Sequence, residues 1–283
     1  PVTVADFASQ AMIVANLLRY DASIPIIGEE ESFELAQDQN AALLNAVTSL
    51  VQSVHAGTSD NDILHWIDAG KPEKTPSRFW TLDPIDGTKG FVAGRQYAIA
   101  LALVEDGEIQ IGVLGCPNMK SPNDTQGTIF LAAHGQTPMQ ISLHDLSQSS
   151  PIAVSDVTVP ALGTICESVE VGHSNHGASA QIANALGIQN PPFRIDSQCK
   201  YAAVARGDAS IYLRLPTKKP YQEKIWDHAA GVAVIQAAGG TVTDVDGKPL
   251  DFTCGHLLKN NSGVVATGGS IHAKVLEAVQ KVL

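Results

Sequence analysis

Helical and strand-like patterns interleave along the whole 283-residue chain, and this alternation constrains the fold more than any other feature. Apolar residues follow helical spacing near the start, and short apolar segments alternate with further helical ones behind it. Helices and strands in this order predict a layered α/β or α+β fold. Adjacent strand-like segments in the first half indicate an α+β domain over residues 1–150, followed by an α/β domain over residues 151–283.

The same patterns predict the limits of the individual elements. The predicted helices are Thr3–Tyr20, Leu35–His55, Ala178–Leu186, Lys200–Arg206, Asp227–Ala238 and Ile271–Val282. The predicted strands are Ile24–Ile27, Phe79–Leu82, Tyr97–Val104, Ile109–Leu114, Ile129–Ala133, Thr164–Val169, Phe193–Ile195, Ser210–Leu213, Thr241–Thr243 and Val264–Thr267. Polar, turn-forming residues 56–78 predict a loop, and residues 135–151, rich in Gln, Ser, Pro and His, predict the domain boundary.

The composition limits the partners that the chain can have. Hydrophobic residues make up 44% and charged residues 17%, which is typical of a globular protein and excludes intrinsic disorder. The 18 Lys and Arg residues against 29 Asp and Glu residues give a net charge of −11, which argues against binding to nucleic acid. The longest apolar run, Tyr97–Val104, is too short to span a bilayer, so we expect no membrane partner.

The 4 cysteines include no C-x-x-C pair, which favours a reducing compartment over a disulfide scaffold. We therefore expect a cytoplasmic location. Organellar targeting upstream of Pro1 is left open, because the sequence starts without Met and we expect that a segment precedes it. We also expect a monomer or a weak homo-oligomer.

The densest chemical signal is the sequence LDPIDGTKG at residues 82–90. A predicted strand leads into Asp83, and Asp86 returns to the same end of that strand after Pro84, which holds the chain extended. The two carboxylates and the backbone carbonyl of Ile85 are the hard oxygen ligands that one or two Mg²⁺ ions prefer. The segment therefore predicts a magnesium site.

Gly87 and Thr88 follow directly and begin a helical turn. Their free N–H groups would face a phosphate group. The alternative is a plain Asp-Gly turn in which Thr88 caps the helical turn. The preceding strand and Pro84 favour the metal and phosphate site.

Two further acidic motifs occur at the ends of predicted elements. Gly28-Glu29-Glu30 ends a predicted strand, and WDHAAG at residues 226–231 opens a predicted helix. In this order the three motifs resemble the signature of the lithium-sensitive, magnesium-dependent phosphatase superfamily that includes inositol monophosphatase. The resemblance implies a layered αβαβα sandwich of the inositol monophosphatase and fructose-1,6-bisphosphatase type.

Five shorter segments make the resemblance more specific. They are FWTL at 79–82, KGF at 89–91, DSQCKY at 196–201, YLRLP at 212–216 and YQEKIWDH at 221–228. They are similar to segments of the 3′(2′),5′-bisphosphate nucleotidases. This similarity implies removal of the 3′-phosphate of adenosine 3′,5′-bisphosphate to give AMP and phosphate, activity on 3′-phosphoadenylyl sulfate, and a function in sulfur assimilation. Members of that group carry a helix before the position of Pro1, and fungal members are longer over residues 56–78.

The resemblance also assigns roles to individual residues. The residues that would hold two or three Mg²⁺ ions are Glu29, Asp83, Asp86 and Asp227, with the carbonyl of Ile85. Asp6 and Thr88 would activate the attacking water, and Glu30 would act beside the metal ligands. The residues that would bind the nucleotide bisphosphate substrate are Gly87, Thr88, His173, Ser197, Lys200, Arg214 and Asp227.

Several of these residues have a simpler interpretation in which they do not take part in the chemistry. Asp6 lies three residues after Thr3, a spacing that is typical of a capping box. Asp227 would cap the helix that follows it. The other residues would be exposed charges in this interpretation: Glu29, Glu30, Lys200 and Arg214.

Two alternative functions are also compatible with the motifs. An inositol polyphosphate 1-phosphatase would share the metal ligands and differ in the residues that bind the ring. A catalytically silent nucleotide-binding sensor would bind the same ligand without turnover. Such a sensor would not need Asp6, so the complete set of carboxylates argues against it.

Overall fold

The computed structural model describes residues 2–71, 76–121, 123, 125–169, 176–216 and 221–283. The helices are α1 (Val4–Asp21), α2 (Ala41–Gln52), α3 (Asp60–Asp68), α4 (Thr88–Val92), α5 (His176–Leu186), α6 (Cys199–Ala205), α7 (Ala229–Ala237) and α8 (His272–Val282). The strands are β1 (Ile26–Gly28), β2 (Arg78–Asp86), β3 (Ala98–Glu105), β4 (Glu108–Lys120), β5 (Gln126–Ala133), β6 (Met139–Ser142), β7 (Ser149–Pro151), β8 (Ile165–Glu167), β9 (Phe193–Arg194), β10 (Ile211–Arg214), β11 (Thr241–Thr243) and β12 (Val264–Thr267).

The strands form two sheets. In the first sheet β1 to β7 lie in sequence order, with β1 parallel to β2 and every other neighbouring pair antiparallel. The second sheet has the order β11-β12-β10-β8-β9, in which β10, β8 and β9 are parallel. Asp106 and Gly107 both have positive φ and form the tight turn predicted between β3 and β4.

The helices and the two sheets stack as five layers. On the outer face of the first sheet, α1 packs Val14 against Trp80 and Leu82, and α2 and α3 pack behind it. Helices α6 and α7 lie between the sheets, where Tyr201 belongs to a core that includes strand residues of both sheets. Helices α5 and α8 cover the second sheet, with Ile182 and other residues in that layer's core. The predicted αβαβα sandwich is confirmed.

Three of the predicted elements differ from the structure. The helix predicted over Leu35–His55 begins only at Ala41, because a 3₁₀ turn and bends precede it. The loop predicted over residues 56–78 is wrong, because α3 lies within it and begins with a capping box between Ser59 and Asp62. The predicted boundary segment contains β6 and β7, which extend the first sheet. Most other limits agree within a few residues.

The first sheet ends at Pro151 and the second begins at Ile165, while α7 packs against β4 of the first sheet. The division into domains at residues 150 and 151 stays a prediction. The 4 cysteines are free thiols, as the absence of a disulfide pattern predicts. Within the described part of the chain, no helix combines the length and the apolar character needed to cross a bilayer.

Candidate active site

A cavity of about 560 Å³ opens where the ends of several elements meet. Glu29 and Glu30 line it from the end of β1, and Asp86–Gly90 line it from the end of β2 and from α4. From the second half of the chain, α6 contributes Lys200 and β10 contributes Arg214. The cavity therefore collects predicted site residues from both sheets.

Four predicted metal ligands interact at the ends of β1 and β2. The parallel pairing continues beyond β1, with the Glu29 nitrogen 3.1 Å from the Leu82 carbonyl oxygen, so Glu29 lies beside Asp83. A register shift between Asp83 and Asp86 marks a bulge in β2, which turns the end of the strand. The Asp227 carboxylate approaches from the segment before α7 and interacts with this group.

These carboxyl groups lie close together, with Asp83 buried, Asp86 and Asp227 half-buried and Glu29 exposed, and the pKa is raised for Glu29, Asp83 and Asp86. Desolvation raises the pKa of Glu29 to about 8, and the charges of Asp227 and Glu30 add to the increase. Burial also raises the pKa of Asp83, with the charge of Asp86 as the next cause. The pKa of Asp86 is raised to about 6 by burial and by the charge of Asp227. Without a cation, the group retains protons that exposed carboxylates release.

The same group of atoms fits a divalent cation. Within the described residues, Asp83 Oδ1 is a buried oxygen without a hydrogen-bond partner. The bulge also brings the Ile85 carbonyl oxygen to within 3.2 Å of Thr88 Oγ1, at the edge of the cavity. Carboxylate and carbonyl oxygens are the ligands of Mg²⁺, and its charge would offset the repulsion between the carboxylates.

Asp6 is buried and uses its two oxygens for different contacts. Oδ2 accepts hydrogen bonds from the Thr3 backbone nitrogen at 2.8 Å and from Thr3 Oγ1 at 2.6 Å, which complete the capping box of α1. Oδ1 accepts a hydrogen bond from Thr88 Oγ1 at 3.1 Å. The capping interpretation is therefore confirmed, and it does not compete with the pairing of Asp6 and Thr88.

Glu30 lies on the same side of the cavity as Asp6. The Glu30 side chain is buried, so the interpretation as a solvated charge is wrong. Its backbone N–H and carbonyl both bind the side-chain amide of Gln10, at 3.0 Å and 2.8 Å. Burial raises the pKa of Glu30 to about 7, and the charge of Asp6 adds to the effect. The residue is placed beside the predicted ligands, as expected.

Gly87 and Ser197 form the floor of the cavity by close packing. Gly87 has a φ of +86°, and a Cβ atom there would lie 2.9 Å from the Ser197 Cβ. Ser197 itself has a φ of +63°, which is uncommon for a residue with a side chain. The next N–H, from Gln198, donates a hydrogen bond to Asp86 Oδ2. The predicted substrate residues Gly87 and Ser197 thus meet directly beside a predicted metal ligand.

Lys200 is buried, so its interpretation as a surface cation is wrong. Its Nζ lies 3.1 Å from Ser168 Oγ and 5.4 Å from the centre of the Tyr212 ring. Burial lowers the pKa of Lys200, and the charge of Asp86 opposes this effect. The ammonium group therefore stands in a largely closed wall of the cavity, where an anion would stabilise its charge.

Arg214 is held by two carboxylates. Its Nε lies 2.7 Å from Glu223 Oε2, and its Nη2 lies 3.1 Å from Asp227 Oδ2. Burial opposes the charge of Arg214, but Asp227 and Glu223 outweigh it and raise its pKa. Asp227 does not cap α7, because the N-cap residue is His228. The capping interpretation of Asp227 is therefore wrong.

The predicted site does not include Glu223 and His228, although both lie next to it. One ligand-type atom each from Glu223, Asp227 and His228 lie within 4.8 Å of one another. The Arg214 guanidinium binds two of these three residues, so this group is an ion-pair network and not a second metal site. Its sequence signal was a Glu and a His around the apolar pair Ile225-Trp226, a setting in which charged groups become buried. His173, a predicted nucleotide ligand, lies outside the described residues.

The first prediction concerns the pH dependence of the metal-free protein. A carboxyl group whose pKa is higher in the folded state stabilises that state below its ordinary pKa, and the contribution is lost as pH rises to the folded pKa. The ordinary value of 4.5 for Glu29 rises to about 8, and the value of 3.8 for Asp86 rises to about 6. We therefore expect the melting temperature in EDTA to fall between about pH 4 and pH 8. Mg²⁺ should raise it most at the upper end.

The matched variants are Asp83→Asn and Asp86→Asn. Each removes one repelling charge, so the melting temperature in EDTA at pH 8 should hold or rise, while the stabilisation by Mg²⁺ should be lost. Glu277→Gln is the control, because this carboxylate is exposed on α8 and pairs with Lys281 one turn later. A Mg²⁺-induced shift of parental size in both Asn variants would contradict the metal assignment.

Comparison of the sequence with known proteins identifies the family of this chain. A sequence model described as the inositol monophosphatase family matches residues 1–283. The chain is 43% identical over 300 residues to a 3′(2′),5′-bisphosphate nucleotidase from Schizosaccharomyces pombe, with 100% of this chain and 84% of the relative covered. It is 40% identical over 313 residues to the protein of the same name from Emericella nidulans, covering 100% and 88%.

A solved structure shows the same fold at lower sequence identity. The inositol monophosphatase from Anabaena (Nostoc) sp. PCC 7120 superimposes with a TM-score of 0.60 at 21% identity, covering 99% of this chain and 96% of that one. The five layers and the acidic ends of β1 and β2 agree with the full-length sequence match. This chain belongs to the inositol monophosphatase family.

Proposed function

We propose that the protein is a Mg²⁺-dependent phosphomonoesterase that converts adenosine 3′,5′-bisphosphate to AMP and phosphate, and that it also accepts 3′-phosphoadenylyl sulfate. The names of the relatives from Schizosaccharomyces pombe and Emericella nidulans support this substrate class. The observation that carries the proposal is the distribution of charge in one cavity. Carboxylates gather at the ends of β1 and β2, and two cations, Lys200 and Arg214, stand on the α6 and β10 side.

Two phosphates on one substrate match these two sides of the cavity. The residues that would hold two or three Mg²⁺ ions are Glu29, Asp83, Asp86 and Asp227, with the Ile85 carbonyl. Mg²⁺ there would supply positive charge opposite the reacting phosphoryl oxygens and would lower the pKa of the attacking water. The 3′-phosphate would bind on this side, over the N–H groups of Gly87 and Thr88.

Asp6 and Thr88 would take the proton of the attacking water. The Thr88 hydroxyl donates to Asp6 Oδ1, so the lone pairs of Thr88 Oγ1 are left to accept a proton. As the water loses a proton to Thr88 Oγ1, the proton of Thr88 moves to Asp6 Oδ1. The resulting hydroxide attacks phosphorus in line with the ribose 3′-oxygen, which leaves with the electron pair of the broken bond and takes up a proton from solvent to become the 3′-hydroxyl of AMP, while Asp6 releases its proton to solvent.

The 5′-phosphate does not react and would bind to Lys200 and Arg214. The net charge of −11 makes the general field of the protein unfavourable for a doubly phosphorylated ligand. Local cations are therefore needed, and a guanidinium can bind phosphate through two parallel N–H groups. Ser197 lies between the two sides, and we keep His173 as a proposed nucleotide ligand.

We further propose a cytoplasmic location and a monomer or weak homo-oligomer. The free thiols of Cys116, Cys166, Cys199 and Cys254 support a reducing compartment.

The direct test is phosphate release from adenosine 3′,5′-bisphosphate and from inositol 1,4-bisphosphate, measured side by side with Mg²⁺ and then with EDTA. We expect turnover of the nucleotide in Mg²⁺ and none in EDTA. Preference for the inositol compound would support the inositol polyphosphate 1-phosphatase alternative. Tight binding of the nucleotide without turnover of either compound would support the sensor.

A second prediction separates the two contacts of Asp6. Thr3→Ala removes the cap but leaves the contact with Thr88, so it should cost about 1 kcal/mol of stability and leave kcat unchanged. Thr88→Val removes the hydroxyl that passes the proton, so kcat should fall by about 10²-fold or more while stability is kept. Asp6→Ala should do both. Unfolding curves and steady-state kinetics on the three variants decide this, and full activity of Thr88→Val would contradict the proton path.

A third prediction concerns the second phosphate. Arg214→Ala should raise KM for adenosine 3′,5′-bisphosphate about tenfold to a hundredfold, which corresponds to a charge-assisted contact of about 1.5–3 kcal/mol. Adenosine 3′-monophosphate lacks the 5′-group, so its slow hydrolysis should change little. Arg214→Lys is the control, because it keeps the positive charge and loses the two parallel N–H groups of the guanidinium. Equal losses on both substrates would mean that Arg214 serves the reacting phosphate or the fold.

A further inference from the structure

We propose that Tyr201, His228 and Glu223 form a buried relay of hydrogen bonds that positions Arg214 for the phosphate that is not hydrolysed. The inference rests on the proposed function, because it explains how the second phosphate is recognised. None of the three residues is among the predicted ligands. They would act as positioning residues, through the guanidinium of Arg214.

The relay is continuous from the core to the cavity. The Tyr201 hydroxyl lies 2.7 Å from His228 Nδ1, and His228 Nε2 lies 3.0 Å from Glu223 Oε2. The same Oε2 atom lies 2.7 Å from Arg214 Nε. Tyr201 and His228 are 1% and 0% exposed, so water does not compete for these bonds.

The carboxylate of Glu223 determines the direction of the two hydrogen bonds at its end of the relay. An ionised Glu223 can only accept, so both Arg214 Nε and His228 Nε2 donate to it. The Tyr201 hydroxyl can donate or accept, so it is a partner for His228 Nδ1 whichever of the two atoms carries the proton. Each donor in the chain thus meets one acceptor. Removing the Tyr201 hydroxyl would leave a buried Nδ1 atom without its partner and would loosen the histidine.

The packing around the relay allows little rearrangement. Tyr201 packs so closely on α7 that a Cβ atom at Gly231 would clash with its ring. Its ring also contacts the ring of Tyr212 edge to face, with centres 5.0 Å apart, and Tyr212 is on the same strand as Arg214. The Glu223 carbonyl is fixed by the backbone N–H of Leu258 at 2.9 Å.

Two fixed carboxylates restrict the plane of the guanidinium. Glu223 binds Nε and Asp227 binds Nη2, so two different nitrogens of Arg214 are held. Asp227 alone would leave the long side chain free to turn about that contact. A side chain that is ordered before the substrate arrives loses less entropy on binding, which increases affinity without a new contact. The relay would therefore affect substrates with a second phosphate and spare those without one.

The test is a double-mutant cycle between Tyr201→Phe and Arg214→Ala. Tyr201→Phe keeps the ring and should raise KM for adenosine 3′,5′-bisphosphate about threefold to tenfold, the range for one lost hydrogen bond. It should leave kcat/KM for adenosine 3′-monophosphate unchanged. In the Arg214→Ala background the same substitution should have no further effect on either substrate. Glu223→Gln should show the same selectivity with a larger loss.

Thr267→Val is the matched control. It removes a hydroxyl 3.0 Å from Nδ1 of His272, a buried histidine outside the cavity. Its melting temperature therefore measures how far the loss of one hydrogen-bond partner of a buried histidine destabilises the fold. We expect a lower melting temperature and unchanged KM for both substrates. If Tyr201→Phe behaves in the same way, or if its effect persists in the Arg214→Ala background, the relay is wrong. A selective effect of Glu223→Gln alone would also overturn the relay and leave Glu223 as the one positioning residue.

Failure of the proposed function has a different signature. A parent protein that releases no phosphate from adenosine 3′,5′-bisphosphate refutes that function. The cycle is then measured by calorimetry as the dissociation constant of 5′-AMP, which carries the phosphate in question. Coupling between Tyr201 and Arg214 in this binding supports the relay, and its absence refutes it.

Discussion

The repulsion between closely spaced carboxylates at the ends of β1 and β2 is the interaction on which the rest of the site depends. Parallel pairing of two strands puts Glu29 beside Asp83, and the bulge in β2 adds Asp86 and the carbonyl of Ile85. No local rearrangement can separate these groups, because the strand pairing fixes them. The fold therefore holds an unfavourable charge density that a hard cation would relieve, and in the proposed function stability and activity would be linked through that cation.

On the opposite wall of the cavity, formed by α6 and β10, the charged groups are cations that have partners. Arg214 is paired with Glu223 and Asp227 and keeps its charge, and Lys200 is buried against a hydroxyl and an aromatic ring. Asp227 takes part in both walls, since it also raises the pKa of Glu29 and of Asp86. One carboxylate thus couples the metal side to the phosphate side. A substitution of Asp227 is therefore expected to affect both sides of the cavity.

Much of this fold follows from the sequence, and the parts that do not have physical reasons. The buried strand β12 agrees with prediction because its apolar residues have no competing interpretation. Helix α3 looks like a loop because its sequence is polar and buries few side chains, and its capping box is the one local signal. The acidic motifs predict the carboxylate group, because element ends meet at sheet edges. The contact between Glu223 and His228 follows no pattern, since their burial depends on Tyr201 and Arg214 from other elements.

Asp6 shows why local and long-range interpretations of one residue need not exclude each other. A capping box uses one carboxylate oxygen, and a carboxylate has two. In α1 the second oxygen faces Thr88, so the hydrogen bonds that begin the helix also hold the carboxylate in place beside the cavity. The bond from the Thr3 backbone N–H, which does not depend on the Thr3 side chain, keeps Asp6 from turning away. The capping-box spacing of Thr3 and Asp6 therefore indicates more than the start of a helix, because the same backbone contact helps to orient the proposed proton acceptor. The residues in the first turn of α1 are constrained by the site as much as by the helix.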